Sequence, residues 1–154
     1  MARELLLSFK YSNQESLGRA IGECIGTALL RDHKNFISSF DVNSVILIPI
    51  PLHNDSKRRF NQSVAIANGI SRILGFKVSE ALHWESNVKA QTERSGKERR
   101  KLAEDVFLAD MQIAGKKVVI IDDVITTGTT IKRALSACIR AGAECGGAIA
   151  WARS

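Results

Sequence analysis

The chain has 154 residues, 45% hydrophobic and 25% charged, the balance of an ordinary globular domain, which disfavours a disordered chain and a membrane-embedded one. Its formal charge of +6 points to an anionic partner without separating nucleic acid, a phosphorylated metabolite and plain solubility.

The opening segment Met1 to Lys10 is too weakly apolar, and acquires an acid too early at Glu4, to act as a signal peptide. No run reaches the length of a membrane-spanning helix, so the expected compartment is the cytoplasm. From Ser16 to Phe40 the apolar residues Leu17, Ile21, Ile25, Leu29, Phe36 and Ile37 recur at three- and four-residue steps, which predicts one long amphipathic helix. Ser44 to Pro51 is a β-branched run closed by prolines, the pattern of a strand buried on both faces of a parallel sheet. A basic loop from His53 to Arg59 follows. Asn61-Gln62-Ser63 supplies a cap for a second helix, with Val64, Ala65, Ala67, Ile70, Ile73 and Leu74 on its apolar face and Gly75 as its stop.

Phe76 to Trp84 reads as extended, and Glu85 to Lys101 as a long polar loop of the kind that is usually functional. Val118 to Ile121 is a second buried-strand pattern ending on Asp122-Asp123. Thr126 to Thr130 forms a turn, Ile131 to Ile139 a helix stopping near Gly142, and Gly146 to Trp151 a last strand. Alternating strands and helices imply right-handed crossovers and an α/β fold with a mostly parallel sheet flanked by helices. No linker or repeat divides 1–154, so one domain is expected. Cys24, Cys138 and Cys145 are odd in number without C-x-x-C spacing, so reduced thiols are expected. His33, His53 and His83 show no metal-ligand spacing.

In an open α/β sheet ligands bind beyond the carboxyl ends of the strands, and there the sequence places two adjacent carboxylates and a small-residue turn. The free amides of a helix start attract phosphate. Gly128 admits close backbone approach, and Thr126, Thr127, Thr129 and Thr130 add hydroxyl donors. The carboxylates Asp122 and Asp123 repel a phosphate and instead suit ribose hydroxyls or a divalent cation. A ribose 5-phosphate with Mg²⁺ meets both demands. A lone acid pair would more often be a helix cap; the complete strand-acid-acid-threonine-glycine pattern favours the phosphate site. Lys57, Arg58 and Arg59 follow the first strand, either as a solvated basic run or as cations for a second anionic group. Trp84, Trp151 and Tyr11 are expected to pack rather than stack on bases, so any nucleic-acid binding should be weak and non-specific.

The run Val118 to Thr130, with Asp122-Asp123-Val124-Ile125-Thr126-Thr127-Gly128-Thr129-Thr130 at its centre, resembles the phosphoribosyl-pyrophosphate signature of type I phosphoribosyltransferases. Further segments are similar to the ComF-type competence proteins and their GntX-like relatives: Leu7 to Tyr11, Ile48 to His53, Arg58 to Ser63, and the spaced Gln91, Arg99 and Phe107. The resemblance implies a type I phosphoribosyltransferase-like fold over 1–154, without the four-cysteine zinc ribbon that usually precedes it, and a homo-oligomer such as a dimer. It implies that Asp122 and Asp123 contact the ribose hydroxyls directly or through Mg²⁺, and that Thr126, Thr127, Gly128, Thr129 and Thr130 hold the 5-phosphate. The loop with Leu52, His53, Lys57 and Arg58 would receive pyrophosphate. Arg99, in a segment expected to close over the ligand, would serve the leaving group. The implied activity is transfer of a phosphoribosyl group to a nitrogen nucleophile, the alternative being a non-catalytic adaptor in DNA uptake. Arg59 stands where the family has glycine, and Leu102 where it often has asparagine. Thr126 occupies the place of the aspartate of purine-salvage enzymes, which argues against purine salvage.

Overall fold

The computed structural model describes residues 15–38, 40–53, 56, 60–85 and 106–153. A four-stranded sheet in the order β2-β1-β5-β6, parallel throughout, forms its centre. Its strands are β1 (Val45–Pro49), β2 (Lys77–Val78), β5 (Lys117–Ile125) and β6 (Glu144–Arg153). Around it stand α1 (Glu15–Asp32), α2 (Lys34–Ser38), α3 (Gln62–Leu74) and α4 (Thr129–Arg140). A separate antiparallel ribbon pairs β3 (Leu82–Trp84) with β4 (Phe107–Ala109), Trp84 facing Phe107 in register. The expected mostly parallel sheet between helices is therefore observed.

Every residue of β1 is buried, because alternate side chains enter two different cores. Val45 and Leu47 pack with Ile21 of α1 and with Ile66, Ala67 and Ile70 of α3. Ile46 and Ile48, with Ile50 beyond the strand, join Val118, Ile120, Leu82 and Phe107, and Ile131, Ala134 and Cys138 of α4. The continuous β-branched run is thus the signature of a strand covered on both faces. Helices α1 and α3 touch backbone to backbone: a methyl at Gly22 would overlap the Ile66 carbonyl oxygen, and one at Gly69 the Arg19 carbonyl oxygen.

Several boundaries differ from the sequence reading. The long first helix is two helices, interrupted at His33. Phe76 to Trp84 splits into β2 of the main sheet and β3 of the ribbon, and β4 was not anticipated. Strand β5 does not end at the acid pair. It continues to Ile125 because β6 keeps pairing alongside, Asp122 with Ala150, Val124 with Ala152 and Ile125 with Arg153. The helix assigned to Ile131 starts earlier, so Thr129 and Thr130 belong to its first turn. The helix after the basic loop is as read: Asn61 caps it through its side-chain oxygen, and Gly75 closes it in the left-handed conformation.

Candidate functional site

Parallel pairing of β1 with β5, Pro49 beside Ile121, brings the ends of both strands to one edge. The Ile50 amide extends that pairing by donating to the Ile121 carbonyl at 2.9 Å. Beyond this edge lies a cleft of about 360 Å³, lined by Ile50, Pro51, Leu52 and His53 from the exit of β1, by Asp122 and Asp123 of β5, and by Ser56, Asn61, Gln62 and Ser63. A small recess of about 20 Å³ adjoins it, with Asp122 common to both, and is lined also by Val124, Ile125, Thr126, Gly128, Thr130 and Ile131. The acid pair thus sits between a loop-walled cleft and the threonine-glycine turn.

Asp122 is half-buried in β5. Burial, followed by the charge of neighbouring Asp123, pushes its carboxyl up to about 6. Hydrogen bonds from the Asp123 amide, 2.8 Å from Oδ1, and from the Ser63 side chain pull the other way. Two carboxylates held this close repel, and a cation or hydroxyl donors between them relieve the repulsion. Among the described residues no group of three or more His, Cys, Asp or Glu side chains gathers to hold a metal ion. Two carboxylates alone match a Mg²⁺ ion that takes its remaining ligands from water and a substrate's oxygens.

The turn beyond β5 is shaped by Gly128, whose φ of 73° caps α4 without a side-chain bond. That left-handed conformation carries a steric cost for residues with a Cβ. The Gly128 carbonyl accepts from the Lys132 amide at 3.0 Å, opening the helical ladder, while the first helical amides have no intrahelical acceptor. Thr127 and Thr129 share a hydroxyl hydrogen bond of 2.9 Å, and the Thr129 amide donates to Thr127 Oγ1 at 3.4 Å. The turn thus carries hydroxyls beside helix-start amides, groups that can donate to an anion.

Asn61, also in the cleft wall, donates through Nδ2 to the Ile50 carbonyl at 2.9 Å and accepts through Oδ1 from the Ser63 and Val64 amides. Of the residues singled out from sequence, the structure therefore brings together Leu52, His53, Asp122, Asp123, Thr126, Gly128 and Thr130. Lys57, Arg58 and Arg99 lie outside the described residues, as do Arg59, Leu102, Tyr11 and the segment 86–105. Ser63, which the sequence offers as part of a helix start and of the family-like segment Arg58 to Ser63 but not as a site residue, bonds Asp122. Trp84, read as a packing residue, also donates to the Pro51 carbonyl. Cys24, Cys138 and Cys145 are free thiols, Cys138 buried in the core and pushed up to about 11 by that burial. No helix of the described residues is long and apolar enough to cross a membrane.

A family model described as a phosphoribosyl transferase domain matches residues 61–153, from the cap of α3 through the acid pair to the end of β6. A protein of Escherichia coli O157:H7 named DNA utilization protein YhgH is 26% identical over 141 residues, 90% of this chain and 61% of its own length. Its namesake in Shigella flexneri gives the same identity and coverage. The chain thus spans about three fifths of these relatives. Among solved structures, one titled as the allosteric regulatory enzyme of purine biosynthesis superposes with a TM-score of 0.53 at 20% identity, over 87% of this chain and 25% of its own, which is a likeness of fold.

Proposed function

Because the chain belongs to the phosphoribosyl transferase domain family, whose model matches more than half of its length, we propose that it binds phosphoribosyl pyrophosphate with Mg²⁺ and transfers the phosphoribosyl group to a nitrogen nucleophile. The observation that carries this is the order of groups along one sheet edge: cleft loop, acid pair, threonine-glycine turn. A substrate with pyrophosphate at one end, two hydroxyls in the middle and a phosphate at the other end has its groups in the same order.

In this reading the turn Thr126 to Thr130 holds the 5-phosphate through amides and hydroxyls, each charge-assisted bond contributing about 1.5 to 3 kcal/mol. Asp122 and Asp123 accept hydrogen bonds from the ribose hydroxyls. Leu52 and His53 wall the pyrophosphate end, with Lys57, Arg58 and Arg99 as candidate cations for it. Mg²⁺, when bound, neutralises part of the pyrophosphate charge. The nucleophile's lone pair forms a bond to the anomeric carbon as the bond to the pyrophosphate oxygen breaks. Pyrophosphate leaves with the electron pair, and the nucleophile gives up a proton. Positive charge develops on the ribose ring on the way, close to two carboxylates that disfavour any negative group there, and positioning with electrostatics supplies the catalysis.

Calorimetric titration of the chain with phosphoribosyl pyrophosphate, with and without Mg²⁺, tests the binding step. Pyrophosphate release across a panel of amine and nucleobase acceptors tests transfer. Failure of the parent chain to bind in either condition overturns the proposal.

A second reading rests on the resemblance to ComF-type proteins, on relatives named for DNA utilization and on the charge of +6: a DNA-uptake adaptor whose pocket senses phosphoribosyl pyrophosphate or is vestigial. Salt-sensitive, sequence-independent DNA binding that is unaffected by Asp122→Asn and Asp123→Asn, without pyrophosphate release, would select it.

A further inference from the structure

The β3–β4 ribbon lies outside the main sheet, yet its Trp84 touches two residues of the cleft wall, Pro51 and His53. The indole of Trp84 donates its Nε1–H to the Pro51 carbonyl oxygen at 3.1 Å. Its ring lies against Phe107, centroids 4.4 Å apart, and Phe107 is only 1% exposed, so the donor stands on the core. The same indole meets the His53 ring edge-on, at 5.0 Å between centroids. One residue earlier, the Ile50 carbonyl is held by Asn61. Two successive carbonyls at the exit of β1 are therefore fixed by side chains from two separate elements.

A trans peptide points its N–H away from its C=O. A donor clamped on the Pro51 carbonyl therefore also sets the direction of the Leu52 N–H. Leu52 lines the cleft, and no backbone acceptor among the described residues takes its amide. Resting on the function proposed above, we infer that Trp84 is a positioning residue for the pyrophosphate end of the site: its indole N–H fixes the Pro51–Leu52 peptide plane so that the Leu52 amide is presented to the anion.

The test compares the full chain with Trp84→Phe, which keeps an aromatic ring on Phe107 and removes the donor. Inorganic pyrophosphate with MgCl₂ and, separately, ribose 5-phosphate are titrated into each. One neutral hydrogen bond governs the loop, so pyrophosphate affinity should fall about fivefold, while ribose 5-phosphate affinity changes by less than about twofold. A purely structural role would weaken both alike. A second readout needs no change at Trp84: of the two indole N–H resonances, from Trp84 and Trp151, the one that survives in Trp151→Phe should shift on saturation with pyrophosphate. Should Trp84→Phe fail to fold, Trp84→Tyr, which also lacks the indole donor, replaces it. A folded variant with both affinities unchanged or equally reduced, or an indole resonance indifferent to pyrophosphate, overturns this assignment alone. A parent chain that binds neither ligand overturns the functional reading and this assignment with it.

Discussion

Asn61 and Ile50 are joined by a 2.9 Å hydrogen bond from the asparagine side-chain amide to the isoleucine carbonyl oxygen, which ties the start of α3 to the exit of β1. The same side chain caps α3 by accepting from the Ser63 and Val64 amides. Asn61→Ala should therefore cost more than a cap alone: about 1 kcal/mol for the cap and about 1 kcal/mol more for the carbonyl left without its donor. Asn61→Ser, which restores a capping oxygen but does not reach Ile50, should fall between. Urea unfolding of the three proteins measures this, and an alanine variant as stable as the parent would remove Asn61 from the structural account.

What could be read from the sequence is what local chemistry dictates. The all-buried β1 is written in Val45 to Pro49, the cap in Asn61, the stop in Gly75, and the site turn in Thr126 to Thr130. What was missed depends on pairing or on distance. Strand β5 runs past Asp122 and Asp123 because β6 continues to pair with it, and backbone pairing leaves no mark on polar side chains. Strands β3 and β4 span three residues each, too short for any period to show. The bonds from Asn61 to Ile50 and from Trp84 to Pro51 join residues 11 and 33 positions apart, and nothing local announces them.

Gly22 and Gly69 mark the place where α1 and α3 cross with their backbones in contact. Gly→Ala in a helix normally stabilises by up to about 1 kcal/mol through propensity. Here the added methyl meets a carbonyl oxygen, an atom that cannot turn aside, so the sign should reverse. Gly69→Ala and Gly22→Ala should each destabilise by about 1 to 3 kcal/mol, the range of overpacking in a tight interior. Thermal unfolding decides it, and a rise in melting temperature for either variant would show that the helices separate without cost.

The acid pair should govern the response to Mg²⁺. With Asp122→Asn and Asp123→Asn combined, the repulsion that a cation relieves disappears, so the gain that Mg²⁺ brings to binding of phosphoribosyl pyrophosphate should shrink to what neutralising the pyrophosphate alone supplies. Ribose 5-phosphate should lose affinity more modestly, because the threonine-glycine turn remains. Calorimetry with and without Mg²⁺ on the folded double variant reads both effects. An unaltered affinity with an unaltered Mg²⁺ response would separate Asp122 and Asp123 from ribose and metal alike.

Asp122 should also make the ligand-free protein sensitive to pH. Burial first, and the Asp123 charge second, push its carboxyl up to about 6 in the folded chain, whereas in the unfolded chain it ionises near the ordinary value of about 4. Between these values the folded chain keeps a proton that the unfolded chain has released. The contribution of Asp122 to stability is therefore fully present below about pH 4 and is lost as pH rises through about 6. Asp122→Asn cannot ionise, yet its side-chain oxygen can still accept from the Asp123 amide, so it should lack this slope. Relative to the parent it should gain on the order of 1 to 2 kcal/mol near neutral pH, after allowance for partial solvent screening. That advantage should shrink as the pH is lowered toward about 4.5. Urea unfolding across this window, in chelator-containing buffer without ligand, gives the difference directly. A parent-to-variant difference that stays constant from weakly acidic to weakly basic pH would mean that Asp122 ionises alike in both states, and that its burial beside Asp123 costs the folded protein nothing.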